Sequence, residues 1–465
     1  MIDQSDYQKF LANKQQSASM DGFEPIWLPD CMFPFQRFLT DWSIRKGRAS
    51  LFEDCGLGKT LQQLVWAENV VRHTNKPVMV ITPLAVSQQT AREAAKFGIE
   101  AKVSRDGKYD SKIVITNYER LHYFDSSEFI GAVCDEASAI KAFDGRRRKE
   151  VTRFLSKMPY RLLATATPSP NDFIELGTES ECLGVMTQSD MLGFFFKESK
   201  NMRHTVFKEG DFWNHTKYTF KPHSAEPFWK WVVGWARGIR LPSDLGFDDA
   251  GFDLPPLNYV DHIVDIPFIP PGELFPRPAI TLREQKEERI NTVVERCERV
   301  AELLNHDRPG IAWCHFNQEG DELERVIAGS VQVSGADSIE VKEERLEAFA
   351  AGQIRVLVTK PKIGCWGLNL QHCGDMTFFP THSYEGFYQG IRRCYRFGRV
   401  GPVNVNIVSS PGEAKVIDGL KKKQANAEIM FARLVEHMNN AIVMNSSDKH
   451  TKTIQIPNWL KTETN

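Results

Sequence analysis

Lys59 is the residue around which a chemistry can be built. It stands in LFEDCGLGKTLQ, behind Gly56 and Gly58 and in front of Thr60, where an apolar run gives way to a helix-like segment. Glycines let the backbone turn tightly and aim successive N–H groups at a phosphate. A helix N-terminus adds partial positive charge. In that setting a lysine reaches the outer phosphates of a nucleotide and a threonine hydroxyl ligates Mg2+. The full G-x-x-x-x-G-K-[ST] pattern would place glycine where Glu53 stands, so the motif by itself also fits a glycine-rich turn before a surface lysine.

A second cluster supplies the missing acid. FIGAVCDEAS runs from apolar residues straight into Asp135 and Glu136. Beside a phosphate loop, Asp135 would hold the Mg2+ shell and Glu136 would orient and deprotonate the attacking water. Alone, two acids after an apolar run read as a solvated turn. With the lysine loop they read as a hydrolytic pair.

Both clusters need strands and helices to hold them. From about 30 to 180, short apolar runs (ASLFED, PVMVITP, KIVITN, IGAVCDE, YRLLATATP) alternate with helix-like stretches. Their continuous apolarity suits parallel strands covered on both faces. This is an α/β pattern, doubly wound in expectation. Residues 181–285 break the rhythm. They hold Trp213, Trp229, Trp231 and Trp235, then a proline-dense stretch around Pro255 to Pro278, and read as an aromatic-rich insertion and linker. The aromatics could stack nucleic-acid bases or form a small core, and the crowded spacing of Phe228, Trp229, Trp231 and Trp235 suits packing. From 286 the α/β pattern returns as a second lobe to 411, after an N-terminal extension over 1–29 and a first lobe over 30–180. One or two terminal helices and a polar tail fill 412–465.

With these residues in view, the chain resembles superfamily 2 helicases and translocases, in the Swi/Snf-like branch. GLGKT and DEAS resemble motifs I and II. PFQRFLTDW, with Gln36 and Trp42, resembles the motif that reads adenine. ITPLAV (Thr82), VITNYERL (Thr116, Asn117) and LLATATPSPND resemble motifs Ia, Ib and III. IAWCHFN, GCWGLNLQ (Gly364, Gly367, Asn369) and YQGIRRCYRFGR (Gln389, Arg393, Arg396) resemble motifs IV, V and VI. The resemblance implies two RecA-like lobes in tandem with ATP and Mg2+ between them. It implies ATP contacts from Gln36, Gly367 and Gln389, and a nucleic-acid path over Thr82, Thr116, Asn117 and Thr359. Arg392, Arg399 and Ile363-Gly364-Cys365 depart from the family's usual residues and add charge or bulk near the cleft.

Gln389, Arg393 and Arg396 are spaced i, i+4, i+7, which would put them on one helix face. Such a face can aim two guanidiniums at a phosphate held by the other lobe, and the fork of arginine matches phosphate geometry. RRCYR alone also fits a solvated basic face, as does RRRK from Arg146 to Lys149.

The composition narrows the partners. The formal net charge is −2, so a nucleic-acid partner must meet a local basic stripe. None of the nine cysteines pair as CxxC, which argues for reduced thiols and against a zinc site. No apolar stretch reaches bilayer-spanning length, and the N-terminus lacks a signal-peptide pattern, so a soluble, cytoplasmic protein is expected; with no obvious chromatin-reading or nuclease module beside the motor core, the expected setting is a bacterium or phage-infected host. The expected function is an ATP-driven motor on nucleic acid, duplex DNA by preference. A strand-separating helicase is the neighbouring alternative, and an ATP-binding scaffold that does not move is the alternative from another class. A protein partner would supply any pathway specificity.

Overall fold

A computed structural model describes residues 20–83, 86–140, 145–168, 173–198, 218–270, 273–277, 279–364, 369–381 and 383–450. Two parallel sheets form its frame. In the first lobe the strands are β1 (Arg48–Glu53), β2 (Val78–Thr82), β3 (Ala101–Val103), β4 (Ile113–Asn117), β5 (Gly131–Asp135) and β6 (Tyr160–Thr165). A short antiparallel ribbon follows, β7 (Phe196–Glu198) with β8 (Tyr218–Phe220), and then β9 (Ala236–Ile239). The first sheet has the order β3-β4-β2-β5-β6-β1-β9, every pair parallel. Residues of β2 and β4 are buried without alternation, as the apolar runs require of strands covered on both faces.

The second lobe has β10 (Leu257–Ile263), β11 (Gly310–Trp313), β12 (Ser330–Val333), β13 (Val356–Thr359), β14 (Asp375–Phe378) and β15 (Val403–Ser409). Their order is β10-β15-β14-β11-β13-β12, again all parallel. The expected α/β architecture of two parallel-sheet lobes is present.

The segment 181–285 is shared between the lobes. Its strand β9 lies beside β1 in the first sheet, and β10 lies beside β15 in the second. Phe228, Trp229 and Trp235 are buried in the first lobe's core, with Trp231 packed against it, so these aromatics pack rather than project. Trp213 lies outside the described residues.

The last described element is one long helix, Ala414–His450. It leaves the second lobe, where Leu420 is buried in the core. It then crosses to the first lobe, where Met430, Phe431, Leu434 and Met438 are buried. The Arg240 Nη2 donates to the Ala427 carbonyl at 3.3 Å, and Trp229 stacks on His437.

Candidate nucleotide site between the lobes

Parallel strands end on one edge, and the loops there can converge on a ligand. The carboxyl ends of β1 and β5 flank β6, which brings the phosphate loop beside the two acids. Gly56 and Gly58 have φ of +95° and +80°, a region that favours glycine. Gly58 precedes the helix Lys59–Thr74. A Cβ on Gly58 would come within 2.3 Å of the Gln36 Nε2. That amide instead donates to the Leu57 carbonyl at 2.8 Å, and its Oε1 accepts from the Phe33 N–H at 3.0 Å. Gln36 thus ties the loop to the helix Pro34–Lys46.

The Lys59 ammonium donates to the carbonyls of Glu53 (2.8 Å) and Asp54 (3.0 Å). Glu53, which stands at the missing glycine position, points inward. It accepts from the Gln62 Nε2 at 2.7 Å, and burial pushes its carboxyl up to about 7 against the pull of Lys59. Asp135 accepts from the Gln63 Nε2 at 2.8 Å, and burial raises its pKa. Glu136 follows with φ +54°, a strained conformation for a side-chain-bearing residue and one that clusters at functional sites. Its Oε1 accepts from Ser138 (2.8 Å) and Thr165 (2.7 Å). The Thr165 hydroxyl accepts from the Thr167 N–H at 3.0 Å, and the Thr167 hydroxyl accepts from the Gln389 Nε2 at 3.4 Å. A polar chain therefore runs from Glu136 into the second lobe.

The second lobe answers with the helix Tyr384–Cys394. Gln389 and Arg393 lie on it. The helix stops before Arg396, so the last arginine comes from the following turn rather than from the same helix face. Arg393 and Arg396 nevertheless line one cavity of about 430 Å3 with Gln36, Lys59, Asp135 and Glu136; Gly56, Gly58 and Thr60 also border it. That size suits a small-molecule ligand. The Arg393 Nε has no hydrogen-bond partner among the described residues, and burial lowers the pKa of Arg396. A cluster of donors with two acids at its edge fits a nucleotide triphosphate and its Mg2+.

The other expected residues sit differently. Thr82, Thr116 and Asn117 end β2 and β4, and Thr359 ends β13; all four are buried. Their hydroxyls bond internally: Thr82 with Ser87 (2.8 Å), Thr116 to the Ser104 carbonyl (3.1 Å) and Thr359 to the Val333 carbonyl (2.9 Å). Just beyond these strand ends a second interlobe cavity, of about 260 Å3, is lined by Tyr118, Arg147, Lys342 and Lys362 together with Glu119 and Glu343; the Arg147 Nη2 donates to the Glu119 carboxylate at 2.6 Å. Gly367 lies outside the described residues.

Residue spacing did not single out Asp54 or Tyr388. The Arg392 Nε donates to the Asp54 Oδ1 at 3.0 Å, its Nη2 meets the Oδ2, and the Tyr388 hydroxyl donates to the Oδ1 at 2.7 Å. Arg392 therefore adds no free charge to the cleft. Burial pulls it down to about 10, which leaves it cationic at neutral pH. Arg399 likewise holds a loop, donating to the carbonyls of Gln371 and Pro402.

The model of the SNF2-related domain matches residues 35–179. Over those residues the first lobe is similar to the SNF2-related domain. The Swi/Snf-like resemblance read from the motifs is borne out there. A curated relative, the CHD3-type chromatin-remodeling factor CHR7 of Arabidopsis thaliana, is 23% identical over 201 residues, covering 36% of this chain. The match spans 16% of that much longer protein. Among solved structures, the Sulfolobus solfataricus SWI2/SNF2 ATPase core in complex with dsDNA is 17% identical, with a TM-score of 0.41 over 89% of this chain and 96% of that one. No helix among the described residues is long and apolar enough to cross a membrane.

Proposed function

We propose that the chain is an ATP hydrolase motor that travels along nucleic acid, with duplex DNA as its track. The observation that carries this reading is the division of one cavity between two lobes. Lys59, Thr60, Asp135 and Glu136 come from the SNF2-related lobe, and Arg393 and Arg396 from the other. Each half lacks part of the chemistry, so turnover depends on the lobes being together.

Lys59 would hold the outer phosphates, with Gly56 and Gly58 keeping the loop backbone close. Glu136 would take the proton of the attacking water, its carboxylate aimed by Ser138 and Thr165. Arg393 and Arg396 would meet the charge that grows on the phosphate oxygens, a role worth roughly 10^3–10^5 in kcat in related phosphoryl transfer. Thr60 and Asp135 would hold Mg2+, which supplies neutralisation of phosphate charge when bound. The chain of hydrogen bonds from Glu136 through Thr165 and Thr167 to Gln389 gives the hydrolytic acid a direct link to lobe position.

Duplex DNA is preferred because the first lobe is similar to the SNF2-related domain and its curated relative is named as a chromatin-remodelling factor. Nucleic acid would cross the edge that holds Tyr118, Arg147, Lys342 and Lys362, meeting phosphates with arginine, lysine and main-chain N–H groups. The test is the ATPase rate without nucleic acid and with single-stranded DNA, duplex DNA and RNA, using Lys59→Ala as control. Stimulation by duplex DNA that Lys59→Ala abolishes is expected. No stimulation by any nucleic acid would overturn the motor, and robust strand displacement on a partial duplex would replace the translocase with a helicase.

A further inference from the structure

We propose that Asp54, Arg392 and Tyr388 form a docking clasp that sets the position of the second lobe's arginines over the phosphate loop, making Arg392 a positioning residue. This rests on the ATPase reading of the same cavity.

The clasp is buried and two-pronged. Asp54 and Arg392 are 6% and 4% exposed, and the guanidinium meets both carboxylate oxygens. Tyr388, one helical turn before Arg392, adds a third donor, and the N–H of Cys55 a fourth at 2.6 Å. A carboxylate so fully engaged is not available to a metal or a sugar hydroxyl. Three of its four bonds go to the other lobe.

The place of the clasp in the chain gives it leverage. Asp54 is the first residue of the phosphate loop, and its carbonyl receives the Lys59 ammonium. Arg392 is the immediate neighbour of Arg393. One ion pair therefore fixes the distance between the two cationic ends of the site. Phe397 supports it, since its ring lies where a Cβ on Gly56 would stand, 2.9 Å away.

Stability alone does not account for such a pair. Burying two charges costs about as much as their attraction returns, and the best-attested use of buried ion pairs is to specify register. Among the described residues two further ion pairs join the lobes, Arg92 with Glu347 and Arg105 with Glu343. Both are solvent-exposed, a setting in which an ion pair is worth roughly 0–1 kcal/mol.

The experiment compares Tyr388→Phe, Arg392→Gln, Asp54→Asn and the double variant Asp54→Asn/Arg392→Gln. It reads kcat and KM for ATP with DNA, ADP affinity, thermal unfolding, and small-angle scattering of the nucleotide-free protein. Arg392→Gln should lower kcat roughly 100-fold, the cost of moving a reacting group by about 1 Å, while ADP affinity on the first lobe stays unchanged. The double variant should be no slower than the slower single one, because both changes remove one contact. Tyr388→Phe, which alters neither charge nor packing, should lower kcat to a lesser extent at an unchanged unfolding midpoint. Wild-type kcat in both Arg392→Gln and Tyr388→Phe, losses that multiply in the double variant, or a matching loss of ADP affinity in Arg392→Gln would overturn the clasp. If the wild-type protein hydrolyses no ATP, the motor reading fails, and scattering still decides the clasp: Asp54→Asn should be more expanded than wild type, and superimposable profiles would refute it.

Discussion

Glu319→Gln should destabilise the second lobe by an amount that two independent arguments set. Glu319 is 1% exposed. It accepts from the Arg289 Nε at 2.7 Å, the Arg296 Nη2 at 3.3 Å, and the N–H groups of His315 (2.9 Å) and Phe316 (3.0 Å). Burial alone would raise its pKa; Arg289 and Arg296 overcome burial and hold the carboxyl at about 2, below the ordinary 4.5. A depressed carboxylate stabilises the fold fully above its unfolded pKa. That stabilisation is lost as pH falls from there toward about 2. At about 1.36 kcal/mol per pH unit the gap corresponds to roughly 3 kcal/mol. Removing one member of a buried ion pair costs roughly 3–5 kcal/mol, so the two routes agree. For a lobe of this size that lowers the unfolding midpoint by roughly 6–12 °C. Calorimetry near about pH 7 and about pH 3 reads both consequences. The variant should melt lower near neutrality and lose less than wild type on acidification. An unmoved midpoint near neutrality, or an acid dependence identical to wild type, would refute the reasoning.

Glu136→Gln should bind ATP as wild type does and lose roughly 10^2–10^4 in hydrolysis rate, the usual worth of a general base; ATP binding and single-turnover hydrolysis, measured separately, check it. Gly58→Ala should weaken nucleotide binding, because a Cβ there meets the Gln36 amide at 2.3 Å at a φ of +80°; titration with a fluorescent ADP analogue reads it. Leu434→Ala, at a fully buried position beside Gly238, should cost roughly 2–5 kcal/mol of first-lobe stability, measured by thermal unfolding.

Much of the frame was legible because parallel strands buried on both faces leave long apolar runs, and because a phosphate loop and an acidic strand end have few other uses. The sharing of residues 181–285 was not. Strand β9 reads ARGI, four residues with an arginine and a glycine, and carries no periodicity. It becomes a strand because β1 offers an open edge and because Arg237 lies over the Trp42 ring at 4.2 Å. The spacing of Arg396 allows it a place on the motif VI helix face. The helix ends at Cys394, a boundary that no proline or glycine announces. The clasp is not legible in the sequence because its halves lie 338 positions apart. Local sequence shows only that Arg392 is an unusual residue, and the charge that would answer it is set by tertiary structure.

The terminal helix also bears on how the protein is made. Its residues Met430 to Met438 finish the core of a lobe whose strands begin at Arg48. On a ribosome the first lobe therefore emerges with an apolar face uncovered, and it stays so until Met438 has been synthesised. The stretch from Ile239 to Met438 takes roughly 10–40 s at roughly 5–20 residues per second. Contacts this distant in sequence form slowly, and during that interval the nascent lobe is a natural client for chaperones. A chain truncated before Ala414 would keep every residue of the nucleotide cavity and still leave that face exposed to aggregation.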